Sequence, residues 1–228
     1  MDDGGVEIWR IPLSGPLPDK EDREVLSAEE RARADRFVFE NDRRRYLISH
    51  VAVRHILAQV LGRDAAALMF QGGRNGKPEL KGLPIHHNLA RSDDLTLLAI
   101  SPGQPVGIDV EKSKMVPEAA DIAARMFSQR EGATVAKAGQ ENRSAIFLKC
   151  WTAKEAVVKA TGEGLGNGDL QSFDVQPALA GEDAIIRLPS EPRFAWVVRM
   201  VDPGEGYFAA ISRRSTLGRL EIRKWTLG

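Results

Sequence analysis

Two short stretches of this chain carry side chains that could do chemistry together. In Val106-Gly107-Ile108-Asp109-Val110-Glu111, the two-residue period of a strand puts Val106, Ile108 and Val110 on one face and Gly107, Asp109 and Glu111 on the other. Two carboxylates then stand roughly 6–7 Å apart along the backbone. From there both can reach one hard cation, and magnesium favours oxygen ligands. Gly107, without a side chain, leaves room for a phosphate to approach. A half-buried strand with a charged solvent face shows the same alternation. In Trp151-Thr152-Ala153-Lys154-Glu155-Ala156-Val157-Val158-Lys159, helical spacing lines up Trp151, Glu155 and Lys159, with Lys154 on the flank. A packed Trp151 beside a surface Glu155–Lys159 ion pair satisfies that pattern equally.

The elements that must position these residues follow from local signals. Val6 to Leu13 reads as a strand, broken by the Pro/Gly-rich stretch from Pro12 to Pro18. Ser27 with Glu30 three residues on forms a capping-box pattern opening a helix that carries Arg31, Arg33, Arg36 and Phe37. A second helix is predicted from about Asp42 to Leu61, with Gly62 placed to end it. Leu95 to Ile100 is a short strand; helical signals run from Pro117 through Val135 and from Asn142 to Thr161. Strands return at Trp196–Val201, Tyr207–Ser212 and Leu220–Trp225. Strands grouped apart from helices mark an α+β chain, and the turn near residue 103 divides it into an N-terminal half, 1–103, and a C-terminal half, 104–228. No internal repeat is visible in the residues.

With 43% hydrophobic and 28% charged residues among 228, the chain has the apolar surface to offset its ordering entropy. Thirty-two basic and thirty-two acidic side chains give no overall field to draw it to nucleic acid or an anionic membrane, so an anion must be caught by a local cluster. A single cysteine, Cys150, forbids an intramolecular disulfide and suits a reducing cytoplasm. Neither a signal peptide nor a membrane span is expected, since no basic-then-apolar leader and no run of about 18 apolar residues occurs.

Taken together, the two stretches resemble the Sfp-type 4'-phosphopantetheinyl transferases. Gly107-x-Asp109-x-Glu111 is similar to that family's metal-binding strand. Trp151-x-x-Lys154-Glu155-Ala156-x-x-Lys159, followed by Gly162-x-Gly164-Leu165, is similar to its signature helix and loop. Arg125-Met126-Phe127-Ser128 with Glu131 resembles its Phe-Ser-x-x-Glu segment, and Gly76-Lys77-Pro78 and the Ser27–Phe37 helix stand where the family has counterparts. The resemblance covers nearly the whole chain. It implies two similar α/β halves related by pseudo-twofold symmetry, with the active site between them, in a monomer.

The activity it implies is transfer of 4'-phosphopantetheine from coenzyme A to a serine of an apo acyl or peptidyl carrier protein, releasing 3',5'-ADP. By the same resemblance Asp109, Glu111 and Glu155 are the Mg2+ ligands, Lys154 and Lys159 face the phosphates, and Glu155 helps deprotonate the serine. Asp109, Glu155 and Lys159 form the catalytic set. Arg33, Arg36, Arg45, Lys77 and Arg91 surround the nucleotide, whose 3'-phosphate suits the planar arginine fork. One departure stands out: the family commonly has Asn-x-Ser-His-Ser, and this chain has Asn88-Leu89-Ala90-Arg91-Ser92. A hydroxyl is missing and arginine replaces histidine, which puts the nucleotide contacts in question and assigns phosphate recognition to Arg91.

Other signals carry less. Gly162-Glu163-Gly164-Leu165-Gly166-Asn167-Gly168 follows a helix rather than a strand, unlike a dinucleotide loop. His50 and His55 do not share a helix face, and His86-His87 alternate on any strand, so zinc is not expected. Cys150 beside Trp151 reads as packing. A non-catalytic coenzyme A or carrier-binding module is the alternative in a different class. Ile122, Arg125, Met126 and Arg130 are candidates for docking an acidic carrier protein; their spacing fits core plus surface equally.

Overall fold

Apolar alternation on both faces fixes where the first strand lies. The structure is a computed structural model describing residues 5–73, 78–162 and 170–227. In β1 (Val6–Pro12), Val6 and Ile8 point into one apolar cluster while Trp9 and Ile11 point into another. Such a strand must lie between two layers. Helices α1 (Ala28–Asp35) and α2 (Glu40–Leu61) follow, then a small pair, β2 (Phe70–Gly72) and β3 (Pro78–Leu80), and the hairpin β4 (Ile85–Ser92) and β5 (Leu95–Pro102). Next come β6 (Val106–Lys112), α3 (Ala119–Met126), α4 (Gln129–Lys137), α5 (Gln140–Thr161), α6 (Gln176–Leu179), β7 (Ala184–Ile186), β8 (Trp196–Val201), β9 (Tyr207–Arg214) and β10 (Leu220–Lys224).

Two four-stranded sheets result, ordered β10-β1-β5-β4 and β6-β9-β8-β7. Their facing sides share one core, in which Val6, Ile8, Leu97 and Ala99 meet Val106, Ile108, Val110 and Ile211. Helix α2 covers the outer face of the first sheet through Ile48, Ala52 and Ile56, and α5 covers the second through Leu148, Ala153 and Val157. The α+β class and the two like halves expected from the resemblance are both present. Strands β1-β5-β4 and β6-β9-β8 have the same order and antiparallel sense. Helices α2 and α5 are both 22 residues long, and each ends on a left-handed glycine, Gly62 at φ 61° and Gly162 at φ 74°.

A repeat invisible in the residue string emerges with these halves. Ser27 caps α1 and exchanges capping-box bonds with Glu30, which pairs at 2.8 Å with Arg54 of α2. Ser128 caps α4 in the same way with Glu131, which pairs at 2.8 Å with Lys154 of α5. Both cations are buried. The helical stretch predicted from Pro117 through Val135 is in fact two helices, because Phe127 is extended (φ −104°, ψ 169°) and Ser128 caps anew. The last strand crosses back, since β10 pairs in parallel with β1 in the first sheet.

Gly107 serves packing, which corrects the expectation that it admits a phosphate. A β-carbon built there would overlap the carbonyl oxygen of Ala156 and the amide nitrogen of Ala160. The bare strand therefore lets the backbone of α5 lie directly on β6. Gly107→Ala is expected to destabilise the protein by about 3 kcal/mol or more, since neither backbone can yield as a side chain could, and urea unfolding monitored by circular dichroism would measure it.

Candidate active site

Close approach at Gly107 dictates what stands next to it. Asp109 is two residues along β6 on the same face, so it too lies under α5, where it is only 5% exposed. The Lys159 ammonium reaches it, Nζ to Oδ1 at 2.6 Å. Glu155 is one helical turn before Lys159 and is also buried. Glu111, at the open end of β6, keeps a quarter of its side chain exposed and accepts a hydrogen bond from the Ser92 hydroxyl at 3.1 Å. The strand and helix periods thus bring Asp109, Glu111, Glu155 and Lys159 to one place.

The carboxylates feel one another. Burial pushes Asp109 up to about 6; the charge and hydrogen bond of Lys159 oppose this, and Glu111 adds to it. Burial pushes Glu155 up to about 7, with Asp109 the next contributor, Lys159 opposing and Glu111 adding. Asp109 Oδ2 and Glu155 Oε1 are buried oxygens with no hydrogen-bond partner among the described residues, which is costly unless a positive group is to be received. No group of three His, Cys, Asp or Glu stands at metal-holding spacing among the described residues, with the Lys159 ammonium lying against Asp109. The donor set is nonetheless all oxygen, as a hard cation such as Mg2+ requires, and the two orphaned oxygens fit one.

Lys154 is elsewhere, and the expectation that it faces the phosphates is corrected. It is fully buried. Its ammonium pairs with Glu131 Oε2 at 2.8 Å and donates to the carbonyls of Leu170 and Phe173, both at 2.7 Å. Three protons therefore meet three acceptors, and none is left for a substrate phosphate. Glu131 Oε1 in turn accepts from the Val175 amide at 2.7 Å. The role of Glu131 as this partner was missed in the sequence, though its capping-box spacing from Ser128 was the available signal.

The expected nucleotide-side cations are partly gathered. Arg33 lies over the Tyr46 ring at 5.7 Å. Tyr46 stacks on His50 at 3.7 Å, and the charges of Arg33 and Arg91 help lower the pKa of His50 after burial, the main cause. Arg33, Arg36 and Arg91 are exposed. Arg45 is engaged by Asp93 at 2.9 Å and Asp94 at 2.8 Å, so a phosphate would compete with two carboxylates for it. Lys77, Gly164 and Leu165 lie outside the described residues. Ala90 corrects the concern over a lost nucleotide hydroxyl: it is buried in the core between the sheets, among Ile108 and Val110. A cavity of about 320 Å3 opens at the end of α5, lined in part by His86, His87, Thr161, Trp196 and Arg214. Cys150 is buried, and its thiol is pushed well above the usual range by that burial, as packing requires.

The acid cluster and its lysine stand on the β6–α5 contact of the second sheet, and Ser92 of β4 reaches Glu111 from the first. The 4'-phosphopantetheinyl transferase superfamily matches residues 105–212, and the N-terminal region of 4'-phosphopantetheinyl transferases matches residues 20–102. A 4'-phosphopantetheinyl transferase of Bacillus pumilus is 36% identical over 192 residues, spanning 81% of this chain and 80% of its own. One from Nostoc sp. is 32% identical over 214 residues, 91% and 86% of the two chains. Another, from Bacillus subtilis, is 33% identical over 212 residues, 90% and 91%. The chain belongs to the 4'-phosphopantetheinyl transferase family.

The two lysines of the signature helix should separate cleanly on substitution. Lys154→Ala is expected to cost about 3–5 kcal/mol of stability, the range for stranding a buried partner charge. Lys159→Met should cost less, because its own side chain is part exposed and Asp109, already raised to about 6, can take up a proton once the ammonium is gone. Parallel urea titrations would measure both.

Proposed function

We propose that this chain is a Mg2+-dependent transferase that moves 4'-phosphopantetheine from coenzyme A to a serine of an apo acyl or peptidyl carrier protein, releasing 3',5'-ADP. What carries the proposal is the convergence of Asp109, Glu111 and Glu155 with Lys159 on the β6–α5 contact of a family member. Asp109, Glu111 and Glu155 would hold the cation, which supplies charge stabilisation at the diphosphate when bound.

In the transfer, the serine oxygen forms a bond to the phosphorus bearing pantetheine as the bond from that phosphorus to the oxygen of 3',5'-ADP breaks. The serine proton passes to a base. Glu155 is the candidate: its carboxyl sits near pKa 7 without a cation, although ligation would lower its basicity. Lys159, released from Asp109, can place its ammonium on a diphosphate oxygen and offset developing charge there. Arg33, Arg36 and Arg91 offer exposed guanidiniums for the 3'-phosphate, with Lys77 a further candidate. The N-terminal half then supplies the nucleotide contacts and the C-terminal half the carboxylates. An acidic carrier protein would dock near the exposed Arg125, Met126 and Arg130. The protein would act as a cytoplasmic monomer; no described helix is long and apolar enough to cross a membrane.

Intact-mass measurement of an apo carrier protein incubated with coenzyme A and Mg2+ tests the proposal: one pantetheinyl increment on one serine is expected. Tight coenzyme A binding without any increment would favour a non-catalytic binding module instead. Asp109→Ala should lower turnover at least about a hundredfold, the order for a disrupted metal clamp. Arg91→Ala is expected to raise the KM for coenzyme A more than that for dephospho-coenzyme A, whereas equal effects on both would remove Arg91 from the 3'-phosphate.

A further inference from the structure

Strands β4 and β6 are each the edge of their own sheet, and an edge leaves every second backbone amide pointing outward. Side chains rather than a backbone ladder join them. The Ile108 amide donates to Asn88 Oδ1 at 2.8 Å, and the Lys112 amide donates to Ser92 Oγ at 3.0 Å. The four-residue step from Asn88 to Ser92 matches the step from Ile108 to Lys112, so the two strands run side by side in one register. Ala90, midway, packs against Ile108 and Val110. The two clasped amides bracket Asp109 and Glu111, and the Ser92 hydroxyl, having accepted from Lys112, donates its own proton to Glu111 Oε2 at 3.1 Å.

We propose that Asn88 and Ser92 are positioning residues for the carboxylate strand. Gly107 lets α5 press β6 from one side, and these two β4 side chains hold it from the other, fixing where Asp109 and Glu111 stand relative to Glu155. Ser92 also orients the Glu111 carboxylate, using its single donor and an acceptor lone pair in one linked chain of bonds. Two positions of the Asn88-x-Ala90-Arg91-Ser92 segment thus serve the acid cluster from the other half of the molecule, while Arg91, on the opposite face of β4, is left for anions. This inference rests on the cation-binding role proposed above for Asp109, Glu111 and Glu155.

Titration of the purified protein with Mn2+ in the absence of coenzyme A, read by electron paramagnetic resonance of the free ion with Mg2+ as competitor, measures the cluster directly. Ser92→Ala is expected to weaken divalent-ion affinity about tenfold, the lower end for outer partners of metal ligands. The KM for coenzyme A at saturating Mg2+ should stay unchanged, and Ser92→Thr, which keeps the hydroxyl, should bind like the wild type. Asn88→Ala should weaken ion binding in the same direction, giving a second route if the Ser92→Ala protein is poorly folded. Wild-type affinity in Ser92→Ala and Asn88→Ala with only a lowered Tm would overturn the positioning role. Absence of ion binding by the wild-type protein itself would instead overturn the underlying cation site.

Discussion

The fold hangs on a pair of interior charges. Lys154 cannot be hydrated where it sits, so its ammonium must be satisfied by protein alone. Glu131 and the carbonyls of Leu170 and Phe173 use all three of its protons, and Glu131 spends its remaining capacity on the Ser128 and Val175 amides. One network therefore ties the start of α4, the middle of α5 and the segment leading to α6. A fully satisfied buried network of this kind allows few alternative arrangements. The N-terminal half repeats it with Arg54, whose guanidinium engages Glu30 and the carbonyls of Ala65 and Leu68. Each long helix is locked to the capped helix before it and to the loop after it by the same device.

Locking α5 matters because the acid cluster is under tension. Three carboxylates meet one lysine in a half-dry space, and burial together with mutual repulsion holds Asp109 near 6 and Glu155 near 7. Left to relax, such groups would swing toward water. Glu155 and Asp109 cannot, since the helix lies on a bare glycine and the strand is held by Asn88 and Ser92. The frame thus keeps the carboxylates together at a spot where burial and repulsion would otherwise drive them apart. Lys159 partly neutralises it from a position open enough for its side chain to move.

How much of this could be read from the residues depended on whether the signal was local. The capping box of α1, the terminal glycines of α2 and α5 and the alternation of β6 are local, and they appear where spacing put them, whereas the same spacing at Ser128 and Glu131 sits inside what reads as one continuous helical stretch. The direction of Lys154 was not legible. Helical spacing separates it from Glu155 by one position, but α5 is buried around most of its circumference, so periodicity could not say which side was wet. Gly107 and Ala90 failed for a related reason: one reads as room for a phosphate and the other as a hydroxyl lost from the nucleotide contacts, and both are contacts with a neighbouring layer that only the packed sheets reveal. The repeat escaped notice because the halves share positions rather than identities, with arginine in one lock and lysine in the other. The gathering of Asp109, Glu111 and Glu155 was inferred only through resemblance, because nothing in either stretch alone says that the strand and the helix touch.

The parallel pairing of β10 with β1 has a bearing on how the molecule comes to be made. The first sheet is assembled from strands near the beginning of the chain and one near its end, with every strand of the second sheet synthesised in between. On the ribosome, β1 must wait with an open edge until residues 220–224 emerge, although its other neighbour β5, and β4 beyond it, are long since available. The second half, whose sheet draws only on its own strands, is free to close first. The order of synthesis and the order of completion are therefore reversed, and the first sheet is sealed last.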